Sequence, residues 1–355
     1  MSGQYAIVTY DLTRTFITSI LSDYYSSGAE HGGVFFYELW KRLTAKKRIV
    51  HALYKLNIRV GKGSFTCLLG PNGSGKTTLL RILATFLLPT SGRAEVMGYD
   101  VVAERREVLE VINYIPSLLA GSVWANLRLT VRRNLEIMAK LVGVGEDRVE
   151  TAMRITGLKE VENVPVGALS TGQQARLVLA LGVMREAPVF LLDEPTMGLS
   201  PEVVRTVQDY LVRLCREKGV TMFYSTHHLH EAERIADYVI LLNKGRKIAE
   251  GPPKDLIKLV GKVETIKIRL NDAYFDLRDF CGDAKYFELT ALNREIGRYE
   301  VRLGVLDADS TLPRLVTRLV SHGARIERIE VSRPTLEDVF IYLVRGRNHG
   351  KTRHD

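Results

Sequence analysis

The stretch Gly70-Pro71-Asn72-Gly73-Ser74-Gly75-Lys76-Thr77-Thr78 lies between the apolar run Phe65 to Leu69 and a helix-like run from Leu79 to Leu88. A strand that feeds a glycine-rich turn into a helix aims successive backbone N–H groups and the positive helix end at one point, where phosphate oxygens can be held. Gly70, Gly73 and Gly75 permit the tight turn and the close backbone approach. Lys76 reaches the outer phosphates, and the Thr77 hydroxyl is a ligand for Mg²⁺. A nucleoside triphosphate site is therefore the first expectation.

A second constellation serves the same chemistry. Val189 to Leu192 reads as a buried, unbroken apolar strand that ends in Asp193-Glu194-Pro195. A buried strand does not tolerate two adjacent carboxylates unless they meet a cation or do work. Asp193 then belongs to the Mg²⁺ shell, and Glu194 polarises the attacking water as general base. Upstream, Leu169-Ser170-Thr171-Gly172-Gln173-Gln174 opens a helix expected over Gln173 to Glu186. By itself this is an ordinary helix cap. Ahead of Asp193 it also offers a hydroxyl, backbone N–H groups and a positive helix end suited to a γ-phosphate.

Bulk properties narrow the class. The 355 residues, 46% hydrophobic and 26% charged, suffice for two domains. Cys67, Cys215 and Cys281 are far apart with no C-x-x-C, which reads as reduced thiols in a cytosolic protein. No run approaches the ~18 apolar residues of a membrane helix, and Asp11, Arg14 and Asp23 stand where a signal peptide would be apolar. The net charge of +9 suits nucleic acid, an anionic membrane face or plain solubility. Its local runs, Lys41, Arg42, Lys46, Lys47 and Arg48, and Arg345, Arg347, Lys351 and Arg353, read as solvated faces.

Along the chain, an opening strand at Ala6 to Tyr10 precedes an irregular excursion at 17–46, broken by Ser26-Ser27-Gly28 and Gly32-Gly33. Strands resume from Ile49. Residues 113–167 carry mainly helical periodicity, which predicts a helical subdomain at about 104–167 within an α/β core. Past Gly251-Pro252-Pro253 the pattern becomes strand 263–270, helix 274–281, strands 285–291 and 299–305, helix 311–322, strand 324–331 and helix 335–345. That order suits a small ferredoxin-like α+β domain. The expected domains are 1–255, 260–345 and a basic tail at 346–355.

Taken together, these motifs strongly resemble the ATP-binding subunits of ABC transporters. The match covers about Ala6 to Gly251. The resemblance implies an α/β P-loop NTPase of ABC type, a mixed sheet core with a helical subdomain, followed by the small α+β domain. It makes Gly70, Pro71, Asn72, Gly73, Ser74, Gly75, Lys76, Thr77 and Thr78 the Walker A loop that binds ATP, and Leu192-Asp193-Glu194-Pro195 the Walker B end. Leu169, Ser170, Thr171, Gly172 and Gln173 become the signature that completes the site of a facing subunit. It also implies Mg²⁺ on Thr77 and Asp193, Glu194 as the catalytic base, His227 of Ser225-Thr226-His227 on the γ-phosphate, and Phe16 stacked on adenine. Outside the resemblance His227 is an ordinary loop residue, Phe16 a core aromatic, and His228 and His230 surface residues.

Three positions depart from the family pattern. Ser117, after Tyr114-Ile115-Pro116, occupies the Q-loop position and is shorter than glutamine; Thr171 replaces the first signature glycine; Ser200 stands where aspartate is usual. Pro334-Thr335-Leu336-Glu337-Asp338-Val339-Phe340 is similar to the ending of ABC-2 type export ATPases of the daunorubicin-resistance kind.

The implied function is an ATPase that powers a separate transmembrane permease, an ABC-2 type exporter by the C-terminal resemblance, from the cytoplasmic face of the membrane. Because one phosphate loop and one signature occur, two copies, or this chain and a related ATPase, pair head to tail around ATP, with no nucleic acid partner. Two other readings stay open at this level: a soluble ABC ATPase acting on nucleic acid or ribosomes, and a degenerate regulatory nucleotide binder suggested by Ser117 and Ser200.

Overall fold

The computed structural model describes residues 4–19, 47–117, 125–261, 263–271, 273, 284–293 and 297–345. Residues 20–46 of the excursion, the helix expected at 274–281, Cys281 and the tail at 346–355 lie outside the described residues. Internal contacts divide the chain into two units, Met1–His227 with Leu242–Lys247, and His228–Leu241 with Ile248–Asp355.

The first unit runs through β1 (Tyr5–Ser19), β2 (Lys47–Leu56), β3 (Arg59–Gly61), β4 (Phe65–Leu69), α1 (Lys76–Leu83), β5 (Ser91–Val96) and β6 (Tyr99–Asp100). It continues with α2 (Arg105–Val111), β7 (Ile112–Ile115), α3 (Val131–Val142), α4 (Glu146–Thr156), α5 (Thr171–Met184), β8 (Val189–Asp193), α6 (Pro201–Lys218) and β9 (Thr221–Thr226). Strands β2, β1, β5 and β6 lie side by side in an antiparallel sheet, with β3 also paired to β1. Strands β4, β9, β8 and β7 are parallel neighbours in that order. Every residue of β4, β8 and β9 is buried, which is why their apolar runs show no alternation.

Three elements differ from the sequence reading. The opening strand does not stop at Tyr10: it runs on to Ser19, with Ile17, Thr18 and Ser19 opposite Ile49, Arg48 and Lys47, so residues 17–19, read as part of the irregular excursion, are strand. β-Branched Ile17 suits that ladder, and against β5 the register shifts between Tyr10 and Thr13, where Asp11 stands at φ 45°. Within the stretch read as helical, Ile112–Ile115 is a parallel strand against β8. Four residues are too few for periodicity to separate strand from helix. The Asn113 side-chain amide, donating to the Gly182 and Arg185 carbonyls at 2.7 and 2.8 Å, helps fix the strand to the end of α5. Finally, α1 ends at Leu83 rather than Leu88. Ala84 bonds back to Leu80, and Thr85 turns left-handed at φ 64°.

Helices α3 and α4 carry the apolar faces expected of the helical stretch. Thr130 caps α3 by accepting from the Arg133 N–H, and Gly143 and Gly157 end α3 and α4 in the left-handed conformation. Arg132 ties the two together, pairing with Glu146 at 2.7 Å and Glu150 at 2.5 Å, and it also meets Glu162 at 2.6 Å; its hydrogen bonds to Glu150 and Glu162 raise its own pKa and lower theirs.

The second unit holds α7 (Leu229–Ile235), most of β10 (Tyr238–Asn243) and β11 (Arg246–Gly251), and α8 (Pro253–Lys258). It goes on through β12 (Glu264–Asn271), β13 (Tyr286–Asn293), β14 (Arg298–Val305), α9 (Ala308–Ser321), β15 (Arg325–Ser332) and α10 (Leu336–Arg345). Its four-stranded sheet, in order β13-β14-β12-β15, is antiparallel throughout, which is the ferredoxin-like arrangement. Ile266, Ile268, Leu270, Val301 and Leu303 pack with Leu315 and Leu319 of α9 to form its core. The C-terminal motif has a structural explanation: Asp338, fully buried, accepts from the Thr335 N–H at 2.7 Å and pairs with Arg302 at 3.0 Å, anchoring the start of α10 to β14.

Candidate functional site

The register Leu69 to Thr226, Ser225 to Asp193 and Leu192 to Ile115 brings the C-terminal ends of β4, β9, β8 and β7 to one edge. The glycine loop, Asp193-Glu194, His227 and Pro116-Ser117 all leave the sheet there, where open parallel sheets bind their ligands. These residues are far apart in sequence, and strand pairing alone gathers them.

The loop is closed on itself. Lys76, buried at 5% exposure, donates to the Gly70 carbonyl at 2.8 Å, and the Ser74 N–H donates to the Pro71 carbonyl at 3.1 Å. Two glycines are required by contact as well as conformation. A Cβ at Gly70 would stand 2.3 Å from the Leu242 carbonyl oxygen, and one at Gly75, already at φ 106°, would stand 2.4 Å from the Ala52 carbonyl oxygen. Gly73 is left-handed too, at φ 77°. Pro71, Asn72 and Gly73 are exposed, and Thr77 and Thr78 are half-buried in the first turn of α1.

Beside the loop stand the two carboxylates. Asp193, 1% exposed, accepts from the Thr77 hydroxyl at 3.1 Å and the Ser225 hydroxyl at 2.9 Å, both on Oδ1, while Oδ2 is buried without a hydrogen-bond partner. Burial raises the Asp193 pKa against those two hydrogen bonds, and the neighbouring Glu194 charge raises it further. Burial likewise pushes the Tyr114 phenol up to about 12, with the Asp193 charge adding to the shift. Glu194 is left-handed at φ 48°. One of its oxygens meets Lys76 at 3.2 Å and the other meets His227 Nδ1 at 3.0 Å.

A pKa raised on folding means that the native state binds the Asp193 proton more tightly than the unfolded chain does. Its ionisation therefore costs stability at pH values above the folded pKa, and the cost vanishes as pH falls below the ordinary carboxylate value. Asp193→Asn is expected to raise the melting temperature in EDTA at pH 7.5, and to raise it by progressively less toward pH 4. A lower melting temperature at pH 7.5 would show that hydrogen bonding to the ionised form outweighs burial.

The signature stretch folds as its sequence implies. Ser170 caps α5 by accepting from the Gln173 N–H at 3.3 Å, and Gln173 Oε1 accepts from the Ser170 N–H at 2.9 Å, a reciprocal capping box. Leu169 is buried, Ser170 and Thr171 are exposed, and Gly172 packs where a Cβ would lie 3.2 Å from the Gly198 carbonyl oxygen. Among the described residues, Leu169–Gln173 make no hydrogen bond or ion pair with Gly70–Thr78 of the same chain. Phe16 is half-buried opposite Val50, with the Arg14 guanidinium 4.7 Å from its ring centre. Ser117 is half-buried just beyond β7, Ser200 precedes α6, and His228 and His230 are exposed.

Sequence reasoning missed two buried residues behind this edge. Ser225 bonds both to Asp193 and to the Glu194 backbone. The Tyr224 hydroxyl bonds to Thr196 at 3.0 Å and to Gln208 at 3.4 Å, tying the turn after Glu194 to β9 and α6. Their signal was faint: polar atoms inside an apolar strand, each needing a partner.

A parallel sheet with a glycine loop after one strand and carboxylates at the tip of another defines a P-loop nucleotide-binding protein. A family model described as ABC transporter matches residues 53–197, and one described as ATP-binding protein DrrA1-3-like, C-terminal domain, matches 252–344. The daunorubicin resistance ATP-binding protein DrrA3 of Streptomyces coeruleorubidus is 34% identical over 296 residues, covering 82% of this chain and 90% of the relative. The bacitracin transport ATP-binding protein BcrA of Bacillus licheniformis is 31% identical over 314 residues, covering 87% and 96%. The ATP-binding cassette MJ0796, solved as a dimer in a post-hydrolysis state with ADP and Pi, superposes with a TM-score of 0.54 at 21% identity, over 69% of this chain and 98% of that one. The chain belongs to the ATP-binding subunits of ABC transporters, ATPases coupled to transport. Among the described residues no helix is long and apolar enough to cross a membrane.

Proposed function

We propose that the chain powers a separate transmembrane permease of export type, acting from the cytoplasmic face of the cell membrane, and that two ATPase subunits close on ATP. The observation that carries this reading is the placement of Asp193 and Glu194 against Thr77 and Lys76 at one sheet edge. Backbone N–H groups of Gly70–Thr78 hold the phosphates of ATP, Lys76 neutralises the outer ones, and Phe16 stacks on adenine. Thr77 and Asp193 are hard oxygen donors, and the buried, unpartnered Asp193 Oδ2 fits a divalent cation. Mg²⁺ held there supplies charge neutralisation at the phosphates.

Water attacks the γ-phosphorus, the bond from phosphorus to the ADP oxygen breaks, and Glu194 accepts the proton, with His227 orienting its carboxylate and touching the γ-phosphate. The exposed Ser170 and Thr171, on the positive end of α5, seal the site of the facing copy. Export is supported by the relatives' names, daunorubicin resistance among them, and by the matching C-terminal domain. A soluble ATPase acting on nucleic acid is not favoured, since the two relatives are matched over nine tenths or more of their length and are named for resistance and transport.

The test is the mass of the purified chain by light scattering with Mg²⁺ and a non-hydrolysable ATP analogue. Doubling supports the paired site. A mass that stays that of one chain, alone and with the co-expressed permease, overturns it.

A further inference from the structure

Ser225 is fully buried at the end of β9, directly opposite Asp193 in the parallel ladder. Its hydroxyl is used twice: it donates to Asp193 Oδ1 at 2.9 Å and accepts from the Glu194 N–H at 3.1 Å. The same N–H also points at the Ser225 carbonyl oxygen, 3.1 Å away. Glu194 needs such support, because a non-glycine residue at φ 48° holds a left-handed conformation that carries a cost and persists only where its surroundings impose it. That conformation turns the chain immediately after a fully buried strand, and the Glu194 carboxylate meets Lys76 and His227.

We infer that Ser225 is a positioning residue: one hydroxyl fixes the side chain of Asp193 and the backbone of Glu194 together, so that the cation ligand and the base keep one mutual geometry. The inference rests on the roles proposed above for those two residues. Thr77 also donates to Asp193 Oδ1, so with both hydroxyls on one oxygen the other is left for a cation. Without the Ser225 hydroxyl, Asp193 keeps one of its two donors and Glu194 keeps only the carbonyl partner for its N–H.

The experiment is a series, Ser225→Cys and Ser225→Ala beside the parent, since sulfur is a weaker donor and acceptor than the hydroxyl and alanine is neither. The readouts are kcat, KM for ATP, the Mg²⁺ concentration giving half-maximal rate, and binding of a fluorescent ATP analogue in EDTA. Outer partners of metal ligands are worth about 10–100-fold in metal affinity or activity. Ser225→Ala is expected to lower kcat and raise the half-maximal Mg²⁺ by that range, with Ser225→Cys between. Analogue binding in EDTA should stay within about twofold, because the glycine loop is untouched. Parental kcat and Mg²⁺ dependence in Ser225→Ala overturns the inference, as does an equal loss of analogue binding in EDTA, which would mark a general structural defect. Glu194→Gln, measured alongside, separates the failures. If that variant turns over normally, the assignment of the base is wrong; if it is inactive while Ser225→Ala is unaffected, only the positioning role fails.

Discussion

Glu194→Gln is expected to reduce ATP turnover by about 10²–10⁴-fold while leaving nucleotide binding intact, the range that a positioned general base contributes. The amide keeps the size of the carboxylate and can still meet Lys76 and His227, but it cannot take a proton from water. It also removes the negative charge that sits 3.2 Å from Lys76, so phosphate competes with a neutral amide rather than a carboxylate for that cation. Binding should therefore tighten rather than weaken. Phosphate release measured under single-turnover conditions, together with analogue titration, checks both parts. Turnover at the parental rate would remove Glu194 from the chemistry.

Lys76→Ala should do the reverse and weaken the first step, nucleotide binding. Lys76 is buried, and its ammonium joins the Gly70 carbonyl, which closes the loop, to the Glu194 carboxylate. Alanine deletes the outer-phosphate contact and leaves the Glu194 charge short of a partner. A hydrogen bond to a charged group is worth about 1.5–3 kcal/mol, so affinity for the ATP analogue should fall on the order of 10–100-fold. Unchanged affinity would put the phosphate elsewhere. Far-ultraviolet circular dichroism separates lost binding from lost folding, since the glycines and their contacts with Ala52 and Leu242 remain.

Much of this edge was legible because its chemistry is written in consecutive residues. The glycine loop, the Asp193-Glu194 pair and the Ser170 cap each announce themselves within a few positions, and the ferredoxin-like order of the C-terminal domain follows from strand and helix spacing. What escaped was decided by tertiary pairing. Ile112–Ile115 became a strand because β8 lies beside it, and Ser225 gained its role only because β9 runs parallel to β8 in a register that sets it against Asp193. No local pattern encodes that register. The end of α1 was missed for a different reason: Leu87 and Leu88 kept up the apolar composition after the backbone had already turned at Thr85.

The grip of Lys76 and His227 on opposite oxygens of Glu194 has a consequence for timing. Each of those two groups is also proposed above to meet the terminal phosphate, which gives the carboxylate and the substrate's own charge the same two partners. On those roles, substrate capture and the freeing of the acceptor are linked through one carboxylate.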